Sequence, residues 1–335
     1  MQEERARLPN IAAYDRSMEY RSLGRSGLRV STVGLGCNNF GRTNTLTESQ
    51  QGTDAVIGAA IDAGITLFDT ADIYGAERGL SETRMGNALG RRRDDIVLAT
   101  KFGMDMGGVN GVDWDARGSR RYIRIAVEAS LRRLQTDWID LYQLHRPDPL
   151  TPIEETISAL DDLITEGKVR YIGHSNLAGW QIADAQYVAA LGSHPKFISA
   201  QNEYSLLERE AEKEVLPAVN AYGLGFLPFF PLYNGLFTGK FSRTGGPEDS
   251  RIMSLRPHLA ADAPWDTMDA YADFCAARDI TMIEATFAWL LAQPGLTSVI
   301  AGATRPEQVV QNAAAPSGWS PTAAEIAEIS ALFTP

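Results

Sequence analysis

Apolar runs and amphipathic segments alternate along most of this chain, and the alternation predicts strands and helices in turn. Short apolar runs rich in β-branched residues are typical of buried strands. They lie at 33–36, 66–69, 96–101, 139–145, 169–173, 197–201, 225–230 and 298–302. Helical spacing of apolar residues, closed by turn residues, predicts helices between and after them. These lie at 49–63, 80–89, 119–134, 152–166, 180–191, 209–222, 265–278, 282–293, 306–314 and 323–332.

Eight strand–helix units in succession predict an α/β fold, the (β/α)8 TIM barrel. Strands separated by helices pair in parallel through right-handed crossovers, and eight such units close into a barrel. A hairpin at 20–33 precedes the units as an N-terminal cap, and the last helix is an extra C-terminal element. An open doubly wound sheet competes, but it usually carries G-x-G-x-x-G after its first strand. Gly34, Gly36 and Gly41 miss that spacing.

The bulk properties indicate one globular unit. Of 335 residues, 44% are hydrophobic, which is enough for a large core, and single α/β barrels reach this length. We expect residues 18–335 to form a single barrel domain. Residues 1–17 carry charges throughout and lack the apolar region of a signal peptide, so we expect an N-terminal extension of low structural content.

Charge and cysteine content narrow the class of partner. A net charge of −11 disfavours nucleic acid and anionic membrane as partners. The most apolar stretch, 224–233, is too short for a membrane span and contains two prolines. Cys37 and Cys275 match no metal spacing and need not pair in so large a chain, which predicts a cytoplasmic protein without a metal site. An oligomer is compatible with the sequence.

Four residues near the carboxyl ends of three successive strands form a candidate acid–base set. Asp69 ends the second strand and Tyr74 follows it, Lys101 ends the third and His145 ends the fourth. A phenol has a pKa of about 10, and an adjacent ammonium lowers it. We therefore expect Lys101, oriented by Asp69, to make Tyr74 a usable acid, with a neutral His145 polarising a carbonyl group. Each residue alone is more often structural, but their shared placement at barrel strand ends favours a site.

These residues lie in motifs that resemble the aldo-keto reductase family. The motifs are Phe68-Asp69-Thr70-Ala71-x-x-Tyr74-Gly75, Thr100-Lys101-Phe102-Gly103, Asp140 to His145, and Gly173-His174-Ser175-Asn176. The resemblance covers the chain from about Tyr20 to its end. It implies NAD(P)H-dependent reduction of carbonyl compounds on a TIM barrel, with Tyr74 as proton donor and Asp69, Lys101 and His145 completing a catalytic tetrad.

The resemblance also implies a nucleotide site. Ser175 and Asn176 match the pair that holds the nicotinamide carboxamide, and Phe229 matches the aromatic residue that stacks on its ring. The implied cofactor-binding residues are Gly36, Cys37, Asn38, Asp69, Ser175, Asn176, Gln201, Phe229, Pro231, Leu232, Gly235, Lys240, Arg251, Gly302, Thr304, Gln308, Gln311 and Asn312.

Two departures from the family pattern bear on the cofactor. Phe229-Phe230 replaces a common Tyr-Ser, and Gln308 stands where many members have an arginine that favours the 2′-phosphate. Arg305, Arg251 and Lys240 remain as phosphate partners. We therefore expect NADPH as cofactor, with NADH as the alternative.

The substrate, a small carbonyl compound, is expected to contact Phe40, Tyr74, Trp114, His145 and Arg146, with the 104–114 loop completing the pocket. Trp114 packs on the substrate or anchors a lid. Arg146 meets an acidic substrate or pairs with Asp148. The sequence leaves both choices open.

Three functions follow from the residues. The leading interpretation is an NADPH-dependent reductase of aldehydes or ketones, including sugar derivatives. The alternative is a nucleotide-binding regulatory subunit with little turnover, resembling the potassium-channel β subunits of the same family. The third is an unrelated barrel isomerase or lyase, which would not bind NADPH.

Overall fold

The computed structural model describes residues 18–248 and 250–334. The expected extension at 1–17 lies outside the described residues. Two strands, β1 (Tyr20–Ser22) and β2 (Arg29–Ser31), pair antiparallel as the predicted hairpin. Leu23 and Val30 of this hairpin pack with Leu67, Leu141 and other strand residues. The hairpin therefore supplies apolar side chains to the interior formed by the parallel strands.

Eight further strands form one parallel sheet in the order β10-β3-β4-β5-β6-β7-β8-β9. They are β3 (Val33–Gly36), β4 (Leu67–Asp69), β5 (Val97–Phe102), β6 (Ile139–Leu144), β7 (Val169–Ser175), β8 (Ser199–Gln201), β9 (Gly225–Phe226) and β10 (Val299–Gly302). Backbone bonds close the ring between the outer two. Thr297 N–H donates to the Phe226 carbonyl at 2.9 Å, and Ile300 N–H to the Pro228 carbonyl at 3.2 Å. The (β/α)8 TIM barrel is confirmed.

Helices surround the strands, and all but two of them lie where apolar periodicity predicts them. They are α1 (Gln50–Asp62), α2 (Leu80–Leu89), α3 (Arg120–Leu134), α4 (Ile153–Thr165), α5 (Gly179–Leu191), α6 (Val215–Tyr222), α7 (Arg251–Leu255), α8 (His258–Ala261), α9 (Trp265–Ala276), α10 (Met282–Leu291), α11 (Pro306–Gly318) and α12 (Ala323–Leu332). Because α12 follows the last strand–helix unit, it is the predicted extra C-terminal element.

The differences from the sequence prediction lie near the carboxyl ends of the strands. β9 ends at Phe226 rather than at residue 230, because Pro228 has no N–H for the ladder; beyond Phe226 only isolated bonds remain, such as Leu227 N–H to the Ala200 carbonyl at 2.9 Å. α6 begins at Val215, and the predicted start near 209 is a short 3-10 turn. The long loop after β9 contains α7 and α8, which were predicted as loop.

His174, on β7, is fully buried, and neither ring nitrogen has a hydrogen-bond partner in the described part of the chain. Burial lowers its pKa to about 3. The unfolded chain, with a histidine pKa near ~6.5, therefore binds a proton first as the pH falls, and the native state loses stability between those values.

We expect His174→Leu to reduce the pH slope of the unfolding free energy below pH 6, by up to about 1.4 kcal/mol per pH unit. Urea unfolding at several pH values measures this, with the exposed His258→Gln as control. An unchanged slope would contradict it.

Candidate active site

A buried ion pair lies at the carboxyl end of the barrel, between neighbouring strands. Lys101 Nζ donates to Asp69 Oδ2 at 2.6 Å and to the Thr70 carbonyl at 2.9 Å. The Lys101 side chain is fully buried and that of Asp69 nearly so. In parallel β4 and β5, Asp69 pairs with Ala99, two residues before Lys101. Residues i and i+2 share a face of a strand, so this register brings the two charged side chains to the same side.

Two glutamine amides complete the environment of Asp69. Gln143 Nε2 donates to Oδ1 at 3.1 Å, and Gln201 Nε2 donates to the same atom at 3.0 Å. The carboxylate thus has partners on both oxygens, which a buried charge requires. Sequence analysis missed Gln143. The available signal was strand alternation, since Gln143 precedes His145 by two residues and shares its face.

Tyr74 lies in the loop after β4, above this ion pair. The centroid of its ring is 5.1 Å from Lys101 Nζ and 5.7 Å from the centroid of the His145 imidazole. The two rings meet edge-on. The loop turns at Gly75, whose φ of 118° is unfavourable for residues with a side chain, and a Cβ there would meet Leu80 Cβ at 2.7 Å. Asp69, Tyr74, Lys101 and His145 are therefore brought together as the sequence predicts.

Burial decides the acidity of the phenol. Burial raises the pKa of Tyr74, Lys101 lowers it and Asp69 raises it, and the result lies above the ordinary value. Lys101 thus acts on the phenol in the expected direction, but desolvation of the phenolate outweighs the ammonium, so the net pKa is raised instead of lowered. Tyr74 stays protonated at neutral pH, as a proton donor must. Burial lowers the pKa of Lys101, but Asp69 and Tyr74 raise it further, so the amine stays charged.

His145 is neutral, as the sequence analysis expects. Burial, followed by the charges of Lys101 and Arg146, holds its pKa well below the usual range. Its carbonyl oxygen accepts a bond of 3.0 Å from Asn176 Nδ2. Its buried Nδ1 has no hydrogen-bond partner within the described ranges. A neutral imidazole carries one N–H that can donate to a carbonyl oxygen.

A buried polar network contacts the loop that carries Tyr74. Glu82 accepts bonds from Thr100 Oγ1 at 2.6 Å and Arg133 Nε at 2.7 Å. Arg133 also donates to Asn110 Oδ1 at 2.8 Å, and Asn110 Nδ2 donates to Asp72 Oδ2 at 3.1 Å. Burial, together with Glu82, raises the pKa of Asp72 well above its ordinary value. The network links α2, α3 and the 104–118 loop to the backbone two residues before Tyr74.

One large cavity opens above Tyr74 and His145, with a volume of about 1120 Å³. That exceeds the roughly 300–1,000 Å³ of most small-molecule sites. It brings together most of the predicted residues: Gly36, Cys37, Asn38, Asp69, Tyr74, His145, Arg146, Asn176, Gln201, Phe229, Pro231, Leu232, Gly235, Lys240, Arg251, Gly302, Thr304, Gln308, Gln311 and Asn312. The lining also includes Arg42, Phe230, Arg256 and Arg305, of which Phe230 and Arg305 were considered from the sequence and Arg42 and Arg256 were not.

Four predicted residues lie outside the cavity wall. Lys101 and Ser175 are buried beneath it, and Ser175 Oγ donates to the Gln201 carbonyl at 2.7 Å. Phe40 is fully buried in the main hydrophobic core. Trp114 is 70% exposed, and the Arg121 guanidinium lies 4.1 Å from its ring centroid. The structure therefore does not bring Phe40, Trp114 or the 104–114 loop to the pocket where the sequence analysis expects them.

The hydrogen-bond partners of Asp148 decide between the two interpretations of Arg146. The Asp148 carboxylate accepts bonds from Gly118 N at 2.6 Å, Thr151 Oγ1 at 2.7 Å and Leu150 N at 2.9 Å. Arg146 forms no ion pair with it, lines the cavity and acts electrostatically on His145. The structure thus favours the orientation that can meet an acidic ligand.

The cavity residues fit a nicotinamide nucleotide. Phe229 presents a ring to the cavity. A Cβ on Gly302 would make a close contact of 3.0 Å with Asn39 Nδ2, which glycine avoids at this part of the wall. Thr304 donates through its N–H and hydroxyl to Gln308 Oε1, at 2.8 and 3.2 Å, at the start of α11. A helix N-terminus favours an anion, and Lys240 adds a cation to the lining.

Comparison with known proteins decides the family. Residues 32–333 match the model of the Aldo/keto reductase family. This chain belongs to the aldo-keto reductase family. It is therefore an oxidoreductase enzyme, from a family that generally uses NAD(P)H and acts on small carbonyl compounds. The resemblance drawn from the motifs is confirmed.

Several individual members of the family are similar over most of their length. The uncharacterized oxidoreductase YrpG of Bacillus subtilis is 39% identical over 87% of this chain and 89% of its own. The L-glyceraldehyde 3-phosphate reductase of Escherichia coli K12 is 34% identical over 93% and 91%. A probable voltage-gated potassium channel subunit beta of rice is 35% identical over 88% and 90%.

Two features of the described residues bear on other expectations. Within 18–248 and 250–334, no helix has the length and apolar character to cross a bilayer. The same residues contain no group of three or more His, Cys, Asp or Glu side chains placed to hold a metal ion. Cys37 and Cys275 are both buried and unpaired.

Proposed function

We propose that this protein reduces an aldehyde or ketone to the alcohol with NADPH, and that Tyr74 donates the proton to the carbonyl oxygen. The observation that carries the proposal is the Lys101–Asp69 pair, 2.6 Å long, directly beneath Tyr74 and His145 at the cavity. When bound, the nucleotide supplies the hydride, which no protein side chain can supply.

Each member of the tetrad has a separate role in moving one proton. Tyr74, held protonated by burial, gives its proton to the oxygen as negative charge develops there. Lys101 stabilises the phenolate that remains, at the moment it forms. Asp69 keeps the ammonium charged and oriented. His145, being neutral, donates a hydrogen bond to the carbonyl oxygen and favours its polarised form.

The cavity cations support NADPH over NADH. Lys240, Arg251 and Arg305 all line the cavity, and three such cations suit a nucleotide with an additional phosphate. Gln308, whose oxygen is engaged by Thr304, leaves this end without the arginine that many members carry. The buried free cysteines suit a reducing cytoplasm. The relative named L-glyceraldehyde 3-phosphate reductase supports a small, sugar-derived aldehyde as substrate.

The second candidate is a regulatory subunit that binds the nucleotide with little turnover. Relatives named potassium channel subunit beta support it, at 34–35% identity. The complete tetrad favours turnover instead.

One assay separates the candidates: oxidation of NADPH and of NADH is followed at 340 nm against a panel of small aldehydes and ketones. Multiple turnovers with NADPH support the reductase. Tight NADPH binding without turnover of any carbonyl supports the regulatory subunit. Absence of nucleotide binding contradicts both.

A further inference from the structure

Three arginines gather in one part of the cavity wall. Arg42 follows β3, Arg251 begins α7 and Arg256 follows it, and all three line the cavity. The guanidinium carbons of Arg251 and Arg256 lie 5.0 and 5.4 Å from the ring centroid of Phe230. Both cations therefore share one aromatic support, an arrangement that favours positive charge near the ring.

These arginines form no salt bridge in the described part of the protein. Arg256 interacts electrostatically with the partly buried carboxylate of Glu203, but no described acidic side chain lies within salt-bridge distance of Arg42, Arg251 or Arg256. The described bond of the Arg42 side chain is a long one, 3.4 Å, to Asn39 Oδ1. Arg251 Nε is buried without a hydrogen-bond partner among described atoms. Asp69, the one carboxylate among the described residues of the cavity lining, is held by Lys101.

Such a cluster is electrostatically incomplete by itself. Burial, with the charges of Arg42 and Arg256, lowers the pKa of Arg251 to about 10. Burial also lowers the pKa of Arg42. Like charges brought together in a partly desolvated cleft repel one another, and an anion bound among them relieves both the repulsion and the unmet hydrogen bonds. The protein as a whole has a net charge of −11, so the concentration of positive charge is local.

The backbone at Phe230 is specialised for this arrangement. Its φ is 53°, in the left-handed region that is unfavourable for a residue with a side chain. Its ring meets that of Phe229 edge-on, with centroids 5.2 Å apart. Strain of this kind persists where surrounding contacts impose it, and it is concentrated at functional sites. Here it directs an aromatic ring toward Arg251 and Arg256.

We propose that Arg42 and Arg256, supported by Phe230, bind an anionic group of the substrate, so that the protein reduces carbonyl compounds that carry a phosphate or carboxylate. This inference rests on the proposed reductase function and names its substrate class. Arginine forks match phosphate and carboxylate oxygens in pairs. The cluster reaches the proton-donating end of the cavity, because the charge of Arg251 also acts on Tyr74. Lys240 and the α11 N-terminus remain for the nucleotide.

The test compares matched aldehydes that differ in charge: glycolaldehyde phosphate against glycolaldehyde, and succinic semialdehyde against butanal. Arg42→Gln, Arg256→Gln and the double variant are assayed at saturating NADPH. We expect the wild type to prefer the anionic member of each pair. Each single variant should reduce the ratio of anionic to neutral kcat/KM by about 10- to 100-fold, the effect of losing one charged hydrogen bond. Arg132→Gln is the control for charge alone, because Arg132 is exposed on α3 outside the cavity.

A second measurement separates substrate from cofactor as the source of the anion. NADPH affinity is determined by fluorescence titration for each variant, with Lys240→Gln as the reference for a residue assigned to the nucleotide. We expect the Arg42 and Arg256 variants to change the NADPH Kd by less than 2-fold. A weakening of NADPH binding with an unchanged anionic-to-neutral ratio would assign the cluster to a cofactor phosphate and overturn the inference.

Failure of the inference is distinguishable from failure of the proposed function. If the wild type reduces neutral and anionic aldehydes with equal kcat/KM, the reductase stands and the substrate class is wrong. If it turns over other members of the aldehyde and ketone panel but neither anionic aldehyde, the substrate class is wrong, and if it turns over no carbonyl compound with either nucleotide, both are wrong.

Discussion

Tyr74→Phe is expected to lower kcat for aldehyde reduction by about 10²–10⁴-fold, the usual contribution of a positioned general acid. The phenol is the group next to both Lys101 and His145, and its hydroxyl carries the proton that the developing alkoxide needs. Phenylalanine keeps the ring and its packing but cannot donate. The NADPH Kd should stay within 2-fold of the wild-type value, since the ring is retained.

Single-turnover and steady-state rates, measured with a fluorescence titration of NADPH, test this prediction. Tyr142→Phe is a matched control, because Tyr142 is a fully buried tyrosine whose hydroxyl has no hydrogen-bond partner in 18–248 or 250–334. It should keep near wild-type kcat. Retention of most carbonyl reduction by Tyr74→Phe would show that another group supplies the proton.

Lys101→Met is expected to abolish measurable turnover and to lower the unfolding free energy by about 3–5 kcal/mol, the usual cost of breaking a buried ion pair. The methionine occupies similar space but leaves Asp69 buried with a negative charge. Its two glutamine bonds remain, but the strongest partner, 2.6 Å away, is gone. Without the ammonium, nothing in the tetrad stabilises the phenolate of Tyr74.

The double variant Asp69→Asn/Lys101→Met distinguishes the loss of turnover from the loss of stability. Removing the carboxylate charge as well should recover much of the lost stability but none of the activity, as urea unfolding and kcat would show. Recovery of turnover would contradict the role of the ammonium.

The Lys101–Asp69 pair also predicts an alkaline limit to stability. The pKa of Lys101 is raised in the folded state, so its stabilisation is complete below the unfolded value near ~10.4 and is lost as the pH rises through the folded value. The wild type should therefore lose stability at strongly alkaline pH more steeply than the double variant.

The sequence by itself determined the strand–helix order and the tetrad. Eight apolar runs alternated with amphipathic segments, and parallel strands joined by helices have few closed arrangements. Asp69, Tyr74, Lys101 and His145 were predictable because the carboxyl ends of barrel strands meet at one face. The position of each strand end in the sequence therefore indicates which side chains lie together at that face of the barrel.

Only the tertiary structure decided what surrounds each charge. The direction of the Tyr74 pKa depends on how much water reaches the phenol, and burial comes from the whole assembled cavity. Trp114 is an aromatic residue of the kind that often lines a pocket, but it lies outside the cavity, with its ring against the Arg121 guanidinium. The Arg42, Arg251 and Arg256 cluster joins positions more than 200 residues apart, with no spacing to reveal it. Local pattern specifies elements and strand ends, whereas desolvation and long-range charge contacts exist only after the chain has folded.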